Sequence, residues 1–411
     1  MKIKTSSRNL MIFLFTVIYF YCNIMSENLF PRRPEIYIIT KIVPLFFISI
    51  YLLFMRKFYY NPIFKLSLSF YILFFVTASI SGLFSEDYYV AFRALFINVC
   101  LTLPLFFFFN FINSEEKLDF VIKILTICYL LITFYLIYEE LFLRIFETNG
   151  FEVYTASKER LDTLGFSKGR VTNIGLLGLT LFLLNKSLFR KLLLIFSTLS
   201  ITYITLSAKL FILISFFAFL ILFLNKKKLA IYSIVLVTIF ILFLDFNLIL
   251  DYLKNNDPIA FAVLIERPLA LFGFEDVSNY ATVVVNRNIL IRTESLELFY
   301  NNPFLGIGLE NERAIIGTQA HSGFIGILIG TGVFGFIFFY FFIFYILFGS
   351  IKVKSNSIFE KRYDKLIIIC FMYFLWATMN PVYKDVNSVI LMFLAACSFI
   401  NIKSYQKNNK N

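Results

Sequence analysis

The sequence predicts an all-α, polytopic membrane helix bundle of about twelve transmembrane helices, each span needing about 20 mostly apolar residues. Three observations point there. The chain is 59% hydrophobic and 20% aromatic, with 56 Phe in 411 residues and a mean hydropathy of +0.80. Only 16% of it is charged, against about 25% in an average soluble domain. The apolar residues arrive in successive runs of span length, and the basic residues between the runs collect on one side.

Taken in order, spans are expected near 9–25, 36–55, 64–84, 90–111, 118–138 and 171–185. Six more are expected near 190–206, 209–224, 229–249, 321–349, 366–382 and 386–402. The first run follows Lys2, Lys4 and Arg8 as a signal peptide would, but it has no small-x-small cleavage site and reads as a retained helix. Only "LSAK" separates the two spans between 190 and 224. A cytoplasmic N-terminus puts the turns "NKKKL" (225–229) and "IKVKSNSIFEKRYDK" (351–365) inside and most Asp and Glu outside. Both termini are then cytoplasmic, and the net charge of +12 follows topology rather than a nucleic-acid partner. Cys22, Cys100, Cys128, Cys370 and Cys397 sit inside apolar runs without metal-like spacing and read as small buried hydrophobes.

The chain divides into helices over 1–250, a large non-cytoplasmic loop over 251–320, and three helices with a polar tail over 321–411. A second long external segment spans 139–170 and ends at Arg170. Helices in a bilayer can be joined by a few residues, so the large loop is expected to form a small cap. Within it, "RNILIRTESLELFYNNP" has helix-favouring composition without Gly or Pro and stops at Asn301-Asn302-Pro303. Its apolar positions, among them Ile289, Leu296 and Tyr300, suit the membrane or the helix bundle. "PFLGIGLEN" is turn chemistry, with Pro303 fixing one dihedral and Gly306 and Gly308 permitting left-handed backbone.

His321, the single histidine, opens the tenth span. Gly323, Gly326, Gly330, Gly332 and Gly335 leave part of that helix bare. The bare face serves either close helix packing or the passage of a lipid-linked substrate.

The run "RNILIRTESLELFYNNPFLGIGLEN…AHSGFIGILIGTGVFG" resembles the signature region of the O-antigen ligase and O-antigen polymerase family. Arg287 falls on the family's arginine; Pro303, Gly306 and Gly308 on its turn; His321 on its histidine; Gly332 and Gly335 on its helix glycines. Arg292 stands where the family has Trp, and Ser322 where it has Asn. The family's Ser-Arg pair before the large loop is represented by Ser207 and, one position displaced, Lys209. "FSEDYYVAFRAL" is similar to the turn between the third and fourth helices, with Arg93 just inside the latter.

The resemblance implies a bacterial inner-membrane glycosyltransferase that uses no metal or other cofactor. It would take an oligosaccharide from undecaprenyl diphosphate at the periplasmic face and pass it to a sugar hydroxyl of an acceptor glycan. Besides membrane lipid, it leaves room for a chain-length regulator as partner. Such transfer needs a base for the attacking hydroxyl and cations for the departing diphosphate. His321 titrates in the right range to be the base. Arg287 is expected to act with it, and Arg292, Lys209, Arg93 and Arg170 to hold the diphosphate. The bland alternative for such cations is snorkelling toward lipid phosphates, and for Glu294, Glu297, Glu310 and Glu312 it is structural ion pairing. The AT-rich-like Phe, Ile, Lys and Asn usage favours a polymerase over a ligase that uses lipid A-core. A lipid-linked oligosaccharide flippase or transporter shares the helix count, yet would place ionisable groups or broken helices near the midplane. A structural scaffold offers no reason for the spacing from Arg287 to His321.

Overall fold

The computed structural model describes residues 2–25, 34–54, 62–108, 112, 114–138, 168–205, 208–225, 279–318, 322–354 and 360–408. Every expected span falls on a helix except 229–249, which lies outside the described residues, as do 139–167 and His321. The helices are α1 (Lys2–Phe20, continued by a π turn, Tyr21–Met25), α2 (Pro34–Phe54), α3 (Pro62–Leu83), α4 (Tyr88–Phe108) and α5 (Glu115–Ile137). Then follow α6 (Lys168–Leu184), α7 (Leu188–Thr205), α8 (Ala208–Asn225), α9 (Asn279–Asn301) and α10 (Glu312–Ile316). The last three are α11 (Gly323–Lys354), α12 (Glu360–Met379) and α13 (Val386–Asn408), with a 3-10 turn, Val382–Lys384, between the final pair. No strand occurs among the described residues.

Four of these helices, α3, α4, α5 and α11, are long and apolar enough to cross a membrane. Shorter apolar stretches run over Asn9–Asn23, Ile39–Ser49, Thr172–Leu184, Lys209–Leu224 and Asn387–Ile400. Their outer surfaces carry exposed Phe46, Leu131, Phe196 and Phe348, which suits lipid contact far better than water.

The helix ends are fixed by local chemistry. Asp87 accepts from the backbone N–H of Val90 (3.0 Å) and starts α4. Ser114 caps α5, whose first turn carries Glu115 and Glu116. Asp385 accepts from the backbone N–H groups of Asn387 (3.2 Å) and Ser388 (3.1 Å) and starts α13. Ser322 accepts from Ile325 N–H (3.4 Å) and starts α11.

α11 packs against α3 and α12, α6 against α7 and α13, and α9 lies along α11. At the α5–α6–α7 junction the Tyr129 and Thr198 hydroxyls meet at 2.9 Å over Gly178. A Cβ at Gly178 would stand 2.3 Å from the Tyr129 oxygen, so the polar contact requires glycine there. An interhelical hydrogen bond of this kind is worth about 0.6 kcal/mol in a bilayer.

Two polar ends bound the apolar body. At one, Lys186 before α7 and Arg362 on α12 both pair with Glu115 at the start of α5. At the other, the turn after α3, the segment 303–311, the start of α11 and the α12–α13 connection come together. α12 joins the two ends, with Arg362 at one and its last residues beside Lys209 at the other.

Candidate functional site at the glycine-turn end

The segment Pro303–Leu309 is pinned into a break in α11. Gly332 has φ 64 and ψ −170, so the helix is interrupted there. The interruption frees backbone groups that the turn then satisfies: Ile307 N–H donates to Ile329 O (2.9 Å), Gly308 N–H to Gly330 O (3.0 Å), and Val333 N–H to Pro303 O (2.9 Å). The Ser81 hydroxyl, at the last turn of α3, donates to Gly330 O and accepts from Gly308 N–H, both at 2.7 Å. Phe304 stacks on Phe334, their centroids 6.0 Å apart, just past the break.

Glycine is obligatory at two of these positions. Gly306 has φ +73, and a Cβ there would lie 2.3 Å from Ile329 O. At Gly332 a Cβ would lie 2.1 Å from Phe304 O. At Gly330 and Gly332 the bare face expected of α11 therefore receives the backbone of a loop. Gly335 abuts the Thr331 side chain of its own helix, and Gly323 abuts the backbone of Asn380 and Val382.

Asn311 ties this unit to the start of α4, accepting from Asp87 N–H and donating to Asp87 O, each at 2.9 Å. The following residue, Glu312, is fully buried, with Oε1 about as close to Gly326 as the Tyr383 hydroxyl is. Tyr383 O accepts from Asn98 Nδ2 (2.6 Å), which ties the buried α12–α13 turn to α4. The result is a polar layer of Ser81, Asn98, Asn311, Glu312, Tyr383 and Asp385 beneath one end of an otherwise apolar bundle.

Lys209, at the start of α8, reaches this layer. Its ammonium donates to Met379 O (2.7 Å), the negative end of α12, and to Asn380 Oδ1 (3.3 Å). An ammonium has three N–H donors, and two of them are engaged among the described residues. Because Lys209 fixes the amide with Oδ1 toward itself, Asn380 Nδ2 points elsewhere, and this buried donor has no partner among the described residues. Arg292, exposed on α9, is near enough for its charge to act on Lys209. No ion pair joins Arg292 to Glu294 or Glu297 among the described residues.

The other expected residues sort by helix. Arg287 precedes Arg292 on α9, and Arg170 lies in the first turn of α6, whose Gly175 faces Leu210 next to Lys209. Arg93 is exposed on α4, near the contact between Ala91 and Gly308, without a contact to Lys209 or Arg292 among the described residues. His321, outside the described residues, precedes the capping Ser322 in the chain.

Sequence reasoning missed Asn98, Asn380 and Tyr383, and it read Glu312 only as a salt-bridge partner. The signal was present in "MNPVYKDVNS" (379–388), which is unusually polar for a turn between two spans. Lys41 was also missed: it is fully buried in α2 and donates to Asn23 O (3.2 Å), so charge is not confined to the helix ends. Lys209, Arg292 and the Asn380 amide, whose Nδ2 has no partner among the described residues, thus bring hydrogen-bond donors to this end. Among the described residues, no group of His, Cys, Asp or Glu is arranged to hold a metal ion. No protein-family model and no curated protein matches the chain.

Proposed function

We propose that the chain is a membrane glycosyltransferase of the O-antigen polymerase type. It extends a surface polysaccharide by moving glycan from undecaprenyl diphosphate to a sugar hydroxyl of another lipid-linked repeat at the periplasmic face. The observation that carries this reading is the convergence of Lys209, Arg292 and the unpartnered Asn380 Nδ2 at the glycine-turn end. Among the described residues these donors have no carboxylate partner, and a departing diphosphate accumulates negative charge that such donors stabilise. Arg287 joins the cations, and His321 takes the proton of the attacking hydroxyl. Lys209 has a structural duty as well, since it closes the carboxyl end of α12.

The buried Glu312 and the α12–α13 turn position this end of α11 by packing against Gly323 and Gly326. Transfer to lipid A-core by the same chemistry would make the protein a ligase. A deletion strain separates the two: lipid A-core bearing one repeat marks a polymerase, and bare core with accumulated lipid-linked polymer marks a ligase.

The break in α11 favours a second reading, a transporter of lipid-linked oligosaccharide, because discontinuous helices line transport sites. Its level argues the other way. Ser81 holds Gly330 at the last turn of α3, near that helix's end rather than its middle. Purified protein in liposomes with a lipid-diphosphate glycan donor discriminates, since a transporter moves the donor across the bilayer without making a new glycosidic bond.

A further inference from the structure

At the end of the bundle opposite the glycine turn lies a pocket of ≈ 90 Å³ between α5, α12 and α13. Lys186, Arg362, Lys365, Glu115, Asp119 and Ser398 line its polar side. The carboxylates there are already engaged: Glu115 pairs with both Lys186 and Arg362, at 3.1 Å each, and Asp119 pairs with Lys186. Lys365 has no carboxylate within ion-pair distance and no hydrogen bond among the described residues. The Ser398 hydroxyl is buried, with only 8% of the residue exposed, and it too has no partner among the described residues. Part-burial pulls the Lys365 ammonium below its ordinary value, and the positive charges of Lys191, Arg362 and Lys186 add to that, while Asp119 opposes it. A cation held among cations, beside an unused buried hydroxyl, lacks its counter-charge.

We propose that this pocket binds a phosphoryl group through Lys365 and Ser398, carried by an anionic phospholipid headgroup or free in solution. The remaining wall is Leu118, Ile122, Leu184 and Leu366. An apolar wall next to a basic cleft between membrane helices is the arrangement that holds phospholipid headgroups. A metal ion fits poorly, because both carboxylates are spent on the neighbouring cations. The site lies at the end that the charge bias assigns to the cytoplasm, away from the proposed transfer site, and does not depend on that reading.

The test uses the full-length protein purified in detergent. Native mass spectrometry measures binding of phosphatidylglycerol and of phosphatidylcholine, and phosphorus NMR line broadening measures binding of inorganic phosphate. Lys365→Gln and Ser398→Ala are compared with Lys352→Gln, an exposed lysine near the same end of α11. The lipid arm is expected to show one saturable phosphatidylglycerol that is absent with phosphatidylcholine. Its affinity should fall about tenfold in Lys365→Gln, the loss of one charge-assisted hydrogen bond, and less in Ser398→Ala. Saturable phosphate broadening lost in the same two variants supports the pocket with free phosphate as its ligand. Equal losses in Lys352→Gln and Lys365→Gln, or no saturable binding by either probe, overturn the proposal. Lys365→Arg keeps the charge and should retain binding, which separates loss of the site from loss of the fold.

Discussion

Replacing Gly332 with alanine tests how the candidate site is built. The backbone there, φ 64 and ψ −170, belongs to a region open essentially to glycine alone. Forcing a side chain into it costs about 1–3 kcal/mol. The new Cβ would stand 2.1 Å from Phe304 O and 2.6 Å from Leu305 N, both backbone atoms that no rotamer change can move. The turn must lift, and with it go the bonds from Ile307, Gly308 and Val333, each worth about 1 kcal/mol. The total is on the order of 4–6 kcal/mol, which corresponds to a fall in Tm on the order of 10 °C. Trp376, the only tryptophan, is fully buried and gives an intrinsic fluorescence signal for thermal unfolding in detergent. Gly326→Ala is the control, because its Cβ would meet nothing closer than 3.4 Å. Gly306→Ala breaks the same contact from the other side, so the double variant should lose little more than the worse single one. A Gly332→Ala protein that melts with the wild type, or strictly additive losses in the pair, would refute the pinned-turn account.

Three further outcomes follow from the same geometry. Asn311→Ala removes two bonds to the Asp87 backbone and should cost about 2 kcal/mol, read as a lower melting temperature and faster proteolysis at the 84–87 turn. Gly178→Val should separate α5, α6 and α7 and abolish recovery of folded protein after detergent extraction, whereas Gly178→Ser should be milder. Arg287→Ala should be severely defective in chain extension, with Arg287→Lys recovering only part, because a guanidinium binds an oxygen pair and an ammonium does not; full activity in the alanine variant removes Arg287 from the site.

Much of this architecture was legible from the sequence, for physical reasons. Apolar runs near span length have few alternatives to helix, because an unpaired backbone in lipid is costly. The stop of α9 at Asn301 was legible because Asn301-Asn302-Pro303 cannot extend it. Its start at Asn279 was not, because "NYATVVVN" is β-branched and polar and weakly disposed to helix. The glycines of α11 announced close approach but not its partner. What fills the space is a loop that meets the helix through long-range backbone bonds, and side-chain periodicity carries no record of those. The same limit hid Asn380. Its importance comes from Lys209 arriving from another helix, a contact between positions 170 or more residues apart. Lys41 stayed hidden because a single cation inside an apolar run looks like a tolerated exception until its partner, Asn23 O, is known.

The proposed reaction is glycan transfer from a lipid diphosphate, with His321 as the base and Arg287, Arg292 and Lys209 as the cations. Its most direct test is to incubate the purified protein in a bilayer with an undecaprenyl-diphosphate-linked repeat unit and resolve the products by mass. The account predicts lipid-linked chains longer by whole repeats together with released undecaprenyl diphosphate, and neither product from His321→Ala protein that inserts and melts normally. Chains of normal length from that variant, or a wild type that moves the donor across the bilayer without lengthening it, would contradict the account.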